Sequence, residues 1–320
     1  MMKAYNEIIK AVKSLSNKIG RPVRLMEVCG THTVAIFRHG IRGLLPESIK
    51  LLSGPGCPVC VTPEEDVDAA IAIAMTPNAV LATFGDMMRV PGGHGPLSHK
   101  EEKSVSKPDG KGVYDPSPPS LNTAKADGGD IRVIYSPLDA LKIARENKDK
   151  KVVFFATGFE TTSPLVAATL LEAEKEGTDN FYIYSAHKLV PPALRALLGS
   201  PDVKLDGLIL PGHVSAIIGS LPYAFLVSEY RVPSVITGFE AGDILEGILM
   251  LLKQVESGIP DVQIQYGRIV RKEGNPKALS MMDKCFKPSD SHWRGIGAIP
   301  DSGLELKDIY KNRDAKEAMG

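Results

Sequence analysis

The chain repeats one syntax: a short run rich in Val, Ile and Leu, then a turn with glycine or polar residues, then a helical pattern. The runs fall at Val23–Val28, Ile49–Leu52, Ala79–Thr83, Val152–Thr157, Phe181–Ser185, Gly207–Leu210 and Val235–Thr237. Neighbouring strand ends recur roughly every 26 to 30 residues, the length of a strand plus a crossover helix, and parallel strands need such a connection. An α/β fold follows: two lobes of mainly parallel sheet flanked by helices. Helix starts are marked as well. Ser136-Pro137-Leu138-Asp139 and Ser163-Pro164 place a capping hydroxyl before a proline at the first helical position, and Thr62-Pro63-Glu64-Glu65 reads as a capping box through Glu65. Ahead of the first run, Ile8, Ile9, Val12, Leu15 and Ile19 have the spacing of an amphipathic helix lying on the core.

The rhythm breaks between Pro91 and Asp130, where Gly, Pro, Ser and charged residues dominate. A stretch of this kind reads as a lid or a disordered insertion. It suggests a first lobe over 1–130, with the polar loop at about 91–130, and a second lobe over 131–250. From about Val262 the syntax fades, so 251–320 is expected to pack across both lobes. Gly158-Phe159-Glu160 and Gly238-Phe239-Glu240 form a weak internal echo.

With 320 residues, 43% of them apolar, each lobe has enough material for a core. Lys plus Arg and Asp plus Glu both number 38, which argues against a nucleic acid or membrane surface held by bulk charge. No apolar run approaches the roughly 18 residues of a membrane span, and Met1 to Lys18 lacks a signal-peptide core, so a cytoplasmic location is expected. There, Cys29, Cys57, Cys60 and Cys285 would stay reduced, which favours metal ligation, redox chemistry or burial over a disulfide framework.

The unusual residues all fall in turns between strand and helix, and in open α/β sheets ligands bind outside the carboxyl ends of the strands. Gly54-Pro55-Gly56-Cys57-Pro58-Val59-Cys60 places a C-x-x-C pair before a helix. A helix N-terminus acidifies thiols, so Cys60 and Cys57 are expected to be thiolate-prone, suited to two-electron disulfide exchange or soft-metal ligation. Two small buried residues in a tight turn would give the same pattern. In Glu27-Val28-Cys29-Gly30-Thr31-His32-Thr33 a thiol and an imidazole lie three residues apart; His32 is a candidate ligand, base or orienting group, and a core cysteine beside a surface histidine is the plain alternative. Joined, Cys29, His32, Cys57 and Cys60 make a Cys3His set. By ligand count alone it equals a structural zinc site; its place on the ligand edge of a large sheet favours a reactive or transient site.

Further along that edge, Asp86, Glu160, His187 and His213 are candidate acid/base or anion-binding groups, each also readable as a helix cap or surface polar residue. Gly56 and Gly158 are the backbone positions expected beside a bound group. No phosphate-loop pattern occurs. Cys285 has no neighbouring ligand residue and is expected to be buried, and Trp293-Arg294-Gly295-Ile296-Gly297 reads as a tight turn that seals the lobes together.

As a set, Cys29-Gly30-Thr31-His32-Thr33, the Gly54–Cys60 motif, Phe84-Gly85-Asp86-Met87-Met88-Arg89-Val90-Pro91-Gly92, Gly158-Phe159-Glu160-Thr161-Thr162, Pro211-Gly212-His213-Val214 and the Trp293 motif resemble the HypD family of [NiFe]-hydrogenase maturation proteins, in family order over nearly the whole chain. The resemblance implies a scaffold that holds iron while the Fe(CN)2CO centre is assembled, acting with a HypC-type small chaperone and a HypE-type cyanide donor. It implies Cys29 as iron ligand with His32 beside it, and Cys57 with Cys60 as the redox pair. Family members that resemble this chain continue into a cysteine-rich segment binding a [4Fe-4S] cluster. This chain stops at Gly320 without that segment, so a truncated form lacking the cluster is expected. The stretch from about His94 to Pro119 is longer and more polar than the family resemblance leads one to expect. Two alternatives remain from the residues themselves: a thiol-disulfide oxidoreductase working through Cys57 and Cys60, for which Cys29 is dispensable, and a structural-zinc α/β enzyme with His187 or His213 as base.

Overall fold

A computed structural model describes residues 2–93 and 118–319. The strands are β1 (Val23–Glu27), β2 (Ile49–Ser53), β3 (Ala79–Phe84), β4 (Ile131–Ile134), β5 (Lys151–Gly158), β6 (Phe181–His187), β7 (Gly207–Pro211), β8 (Ser234–Thr237), β9 (Val262–Ile264), β10 (Phe286–Trp293) and β11 (Gly297–Leu306). One sheet has the order β2-β1-β7-β8-β9 and another the order β4-β3-β5-β6. Every pairing in both is parallel. Among the described strands β10 and β11 alone pair antiparallel, as a separate ribbon. All seven apolar runs are strands, and the α/β class with parallel sheets holds.

The boundary read near residue 130 does not divide the sheets. β1, with β2 on its other side, pairs with β7 and not with β3, so the first sheet draws on 23–53 and 207–264 while the chain between builds the second. Periodicity marks strands without naming their neighbours, and both halves of the chain carry the same syntax. Part of the stretch read as structureless is also ordered. Ser120 starts the helix Leu121–Ala126 with reciprocal side-chain to backbone bonds to Thr123, and Leu121 and Ala124 are buried. Residues 94–117, which hold most of that stretch, lie outside the described residues.

The amphipathic helix Met2–Ile19 packs on Ala241–Ser257, with Val12 fully buried against the first sheet. Ser136 caps Pro137–Glu146 as read: its hydroxyl accepts from Leu138 N at 3.3 Å and Asp139 answers to Ser136 N at 2.9 Å. The other two caps differ. Ser163 is already helical and buried, with Thr162 before it, and Glu64–Ala74 starts after Pro63 without a side-chain cap. Thr62 turns its hydroxyl back to Pro58 O at 2.8 Å instead, because the preceding short helix leaves that carbonyl open.

The C-terminal segment spans both sheets. Cys285 and Phe286 join the core under β5 and β6, while Trp293 and Ile299 join the core that holds Val28, Val61 and Leu208. Leu189 N bonds Ser302 O at 2.8 Å, which covers the end of β6. Among the described residues no helix is long and apolar enough to cross a membrane.

Two places in this topology are prepared for ligands. In the first sheet the connections from β1 and β7 leave in opposite directions, and in the second so do those from β3 and β5. Crevices open at the carboxyl ends of such neighbouring strands. Cys29 and His213 follow β1 and β7; Asp86 and Glu160 follow β3 and β5.

Candidate functional site

Parallel pairing sets Glu27 opposite Ser53, so the turns after β1 and β2 emerge side by side. They are then joined by backbone: Gly54 N donates to Glu27 O at 2.8 Å and Gly30 N to Gly56 O at 2.9 Å. The approach at Gly56 leaves no room for a side chain. A Cβ there would lie 2.2 Å from Cys29 N and 2.3 Å from the Val28 carbonyl carbon. At Gly30 a Cβ would stand 3.6 Å from the Cys57 Cβ, so Cys29 and the dithiol turn share one small region.

Cys29 is half-buried at the head of the helix Gly30–Arg38. Burial pushes its thiol above the ordinary range and the Glu27 carboxylate adds to this, while the backbone N–H groups of His32 and Thr31 oppose them. Glu27 is 1% exposed; its carboxylate accepts from Thr33 Oγ1 at 2.6 Å and weakly from Cys29 N at 3.4 Å. Burial raises the Glu27 carboxyl above its usual range as well. A buried glutamate closing an apolar strand is the signal in the sequence that pointed to this residue, and it went unread as a functional group.

Cys57 heads the helix Pro58–Val61, its sulfur accepting from Cys60 N at 3.3 Å and lying 2.7 Å from the Cys60 sulfur. The expectation of an acidified Cys60 is corrected. Burial and the neighbouring Cys57 sulfur push its thiol up to about 11, and a four-residue helix carries too little aligned dipole to offset them.

The Cys3His set does not assemble. Among the described residues no three His, Cys, Asp or Glu side chains gather at metal-binding geometry. His32 is fully buried, its Nε2 2.9 Å from both Gly238 O and Thr237 Oγ1, beyond the end of β8. A carbonyl can only accept, so Nε2 carries the hydrogen and the buried Nδ1 is left without a partner. Burial lowers its pKa to about 4, so the ring is neutral. Phe239 lies between two imidazoles, 4.5 Å from His32 and 3.9 Å from His213, which brings the two predicted histidines into one stack. Thr237 closes an apolar run and Phe239 sits in the Gly238-Phe239-Glu240 echo, but nothing in that local pattern ties either to His32, some two hundred residues away.

Across from these turns, Glu160 is 2% exposed. Its Oε1 accepts from Val190 N at 3.0 Å and its Oε2 has no partner. Burial raises the carboxyl to about 7. Tyr223 is fully buried with its hydroxyl 3.4 Å from Ser215 Oγ, and burial raises it, Glu160 and Cys29 adding to the rise. Gly158 is required by Thr162, whose Oγ1 would lie 1.8 Å from a Cβ at that position. Asp86 is exposed in the turn Gly85–Arg89.

His187 belongs to a separate polar cavity of about 330 Å3 with Lys188, Asp66 and Ser291. Its Nδ1 is 3.1 Å from Ser185 Oγ, its Nε2 is unpartnered, and burial lowers it to about 3. Lys188 is 1% exposed, bonded to Ser291 Oγ at 2.6 Å and 3.6 Å from Asp66. Another cavity, about 710 Å3, opens near Arg21, Arg24 and Asp206 at the amino ends of β1 and β7 and holds none of these groups. Cys285 is buried with its thiol toward Ala167 O at 3.6 Å, as expected for a packing residue. The four cysteines therefore do not fit a [4Fe-4S] cluster.

A family model described as HypD, hydrogenase formation hypA family, matches residues 3–117 and 113–320. The hydrogenase maturation factor HypD of Rhodobacter capsulatus is 42% identical over 318 residues, covering 98% of this chain and 78% of that protein. The factor of the same name from Escherichia coli (strain K12) is 42% identical over 317 residues, covering 99% and 79%. The hydrogenase expression/formation protein HupD of Azotobacter chroococcum mcd 1 is 42% identical over 302 residues, covering 92% and 74%.

Gly56→Ala is expected to lower stability by about 1–3 kcal/mol in urea denaturation, since the backbone must shift, and to speed alkylation of Cys29 as the turns separate. Unchanged stability and alkylation would contradict the packing described. For Glu160, whose carboxyl in the fold lies above the value of 4.5 it has when free, the folded state holds the extra proton between about pH 4.5 and 7. The resulting stability is complete below 4.5 and lost as pH rises through 7. Relative to Glu160→Gln, the chain should therefore lose unfolding free energy across that window and level off above it; a flat difference would show that Glu160 is not buried as described.

Proposed function

The chain belongs to the HypD family and has its role in hydrogenase maturation, and from that premise we propose that it is the scaffold on which the Fe(CN)2CO centre of [NiFe] hydrogenases is assembled. Iron is the cargo, held through the Cys29 sulfur. Cys57 and Cys60 form the redox pair beside it. A HypC-type chaperone and a HypE-type cyanide donor are the partners. The observation that carries this reading is the joining of the Cys29 and Cys57 turns through Gly56, which keeps a single thiol and a dithiol together at the ligand edge of one sheet.

The residues suit these roles. Thiolate is a soft ligand and favours an iron that is to carry cyanide and carbon monoxide. The buried Cys29 thiol is protonated until a metal displaces the proton, so iron loading is coupled to proton release. Glu27 fixes the turn through its bonds to Thr33 and to Cys29 N, and so orients the sulfur. The adjacent sulfurs of Cys57 and Cys60 exchange two electrons as a unit. His32, held neutral on Gly238 and Thr237, shapes the wall beside Cys29 and is not one of the ligands. The balanced charge of 38 basic and 38 acidic side chains fits protein partners better than nucleic acid.

Infrared spectroscopy tests the reading on the full chain, purified without oxygen together with its small chaperone from cells carrying the maturation machinery. Bands of iron-bound cyanide and carbon monoxide are expected, and Cys29→Ala should abolish them while leaving the chain folded. A simple thiol oxidoreductase would keep its dithiol activity in Cys29→Ala and show no bands in either form.

A further inference from the structure

Arg294 lies in the turn between β10 and β11, next to a residue that anchors that turn firmly. Trp293 is 2% exposed, donates from Nε1 to Ser302 Oγ at 2.8 Å, and stacks on Phe159 with ring centres 5.9 Å apart. From this seat Arg294 reaches three backbone carbonyls in two other segments. Its own N–H donates to Val61 O at 2.9 Å, Nε to Thr62 O at 2.8 Å, and Nη2 to Pro91 O at 2.6 Å. Val61 and Thr62 close the helix that carries Cys60, and Pro91 follows the turn that carries Asp86.

A helix of four residues cannot satisfy its last carbonyls from within. Pro58 O is met by the Thr62 hydroxyl, and among the described residues Val61 O and Thr62 O are met only by Arg294, through its main-chain N–H and its Nε respectively. The end of the dithiol helix is thus held from outside by the Arg294 main chain at Val61 O and by a rigid, charged, planar guanidinium that bridges Thr62 O and Pro91 O, the whole fixed at the end of β5 through the Trp293–Phe159 stack. A lysine offers one flexible ammonium and cannot bridge two carbonyls in this way.

We propose that Arg294 is a positioning residue for the dithiol: it holds the Cys57–Cys60 turn so that the two sulfurs stay within reach of each other, and it ties that turn to the β10–β11 hairpin. The inference rests on the reading of Cys57 and Cys60 as a redox pair. Ordering a residue's backbone costs conformational entropy. If Arg294 has already ordered the turn in the dithiol form, closing the disulfide does not incur that cost again. Removing the clamp returns that freedom to the dithiol and disfavours the disulfide.

The test is equilibration of the full chain with reduced and oxidised glutathione. Cys57 and Cys60 lose two electrons and two protons, one sulfur–sulfur bond forms between them, and that of glutathione disulfide breaks to give two thiols. The fraction oxidised is read by alkylation and peptide mass, with folding followed by thermal melting. Arg294→Gln is expected to lower the equilibrium constant for disulfide formation about tenfold, equivalent to about 30 mV for a two-electron couple. Arg294→Lys should lower it less, and Lys287→Ala, which removes ion pairs to Glu305 and Asp308 in and beside the same hairpin, should leave it unchanged. A folded Arg294→Gln with the original constant overturns the inference; if that variant does not fold, Arg294→Lys with the original constant does so. An equal fall in Lys287→Ala also overturns it, because general loosening of the hairpin would then suffice. A parent chain that forms no Cys57–Cys60 disulfide at any glutathione ratio instead sinks the redox reading itself.

Discussion

The turn after β2 can lie against Cys29 only because residue 56 has no side chain. A Cβ at that point would stand 2.2 Å from the Cys29 nitrogen, well inside contact distance. Parallel pairing of β1 with β2 delivers the two turns to the same edge, and the bonds from Gly54 to Glu27 and from Gly30 to Gly56 then join them. The position of one thiol relative to the other two is therefore set by backbone rather than by flexible side chains. Sites carried on rigid elements hold their geometry better than sites on free loops.

The second sheet contributes the opposite wall. Chain passage from β2 to β3 and back from β6 to β7 inserts the second sheet between the two halves of the first. The short helix Pro58–Val61 packs against β5, and the C-terminal hairpin stacks Trp293 on Phe159 at the end of that strand. The dithiol is consequently gripped by both sheets and by the tail. A buried, unpartnered carboxyl oxygen at Glu160 and a buried, unpartnered imidazole nitrogen at His32 remain within this arrangement. Such groups are costly to bury and mark places where a ligand, a proton or water completes the bonding.

Much of this was legible from residues alone. The seven apolar runs are strands because β-branched stretches between glycine-rich turns have few other stable uses, and the chemical residues fall at strand ends for the reason that strand ends face the crevices. Four features were not legible. Strand partners are a long-range property, so the first lobe's return at Gly207 left no local trace. The hairpin Phe286–Leu306 escaped notice because its alternation is small and polar, as in Ser289, Asp290 and Ser291, rather than apolar. The Cys60 thiol reads as acidic from its place before a helix, but desolvation and the neighbouring Cys57 sulfur outweigh the weak dipole of one helical turn. His32 likewise looked like a ligand by spacing, whereas its ring is committed to a carbonyl some two hundred residues away.

In the proposed function, iron is held by the Cys29 sulfur and served, not ligated, by the dithiol. Iron K-edge X-ray absorption on the complex with the small chaperone, prepared without oxygen, tests this most directly. In the Cys57→Ser, Cys60→Ser double variant the sulfur shell around iron should persist, and in Cys29→Ala it should lose a ligand or vanish with the iron. A sulfur shell that survives in Cys29→Ala but is lost in the double variant would contradict the account and make the dithiol the metal site.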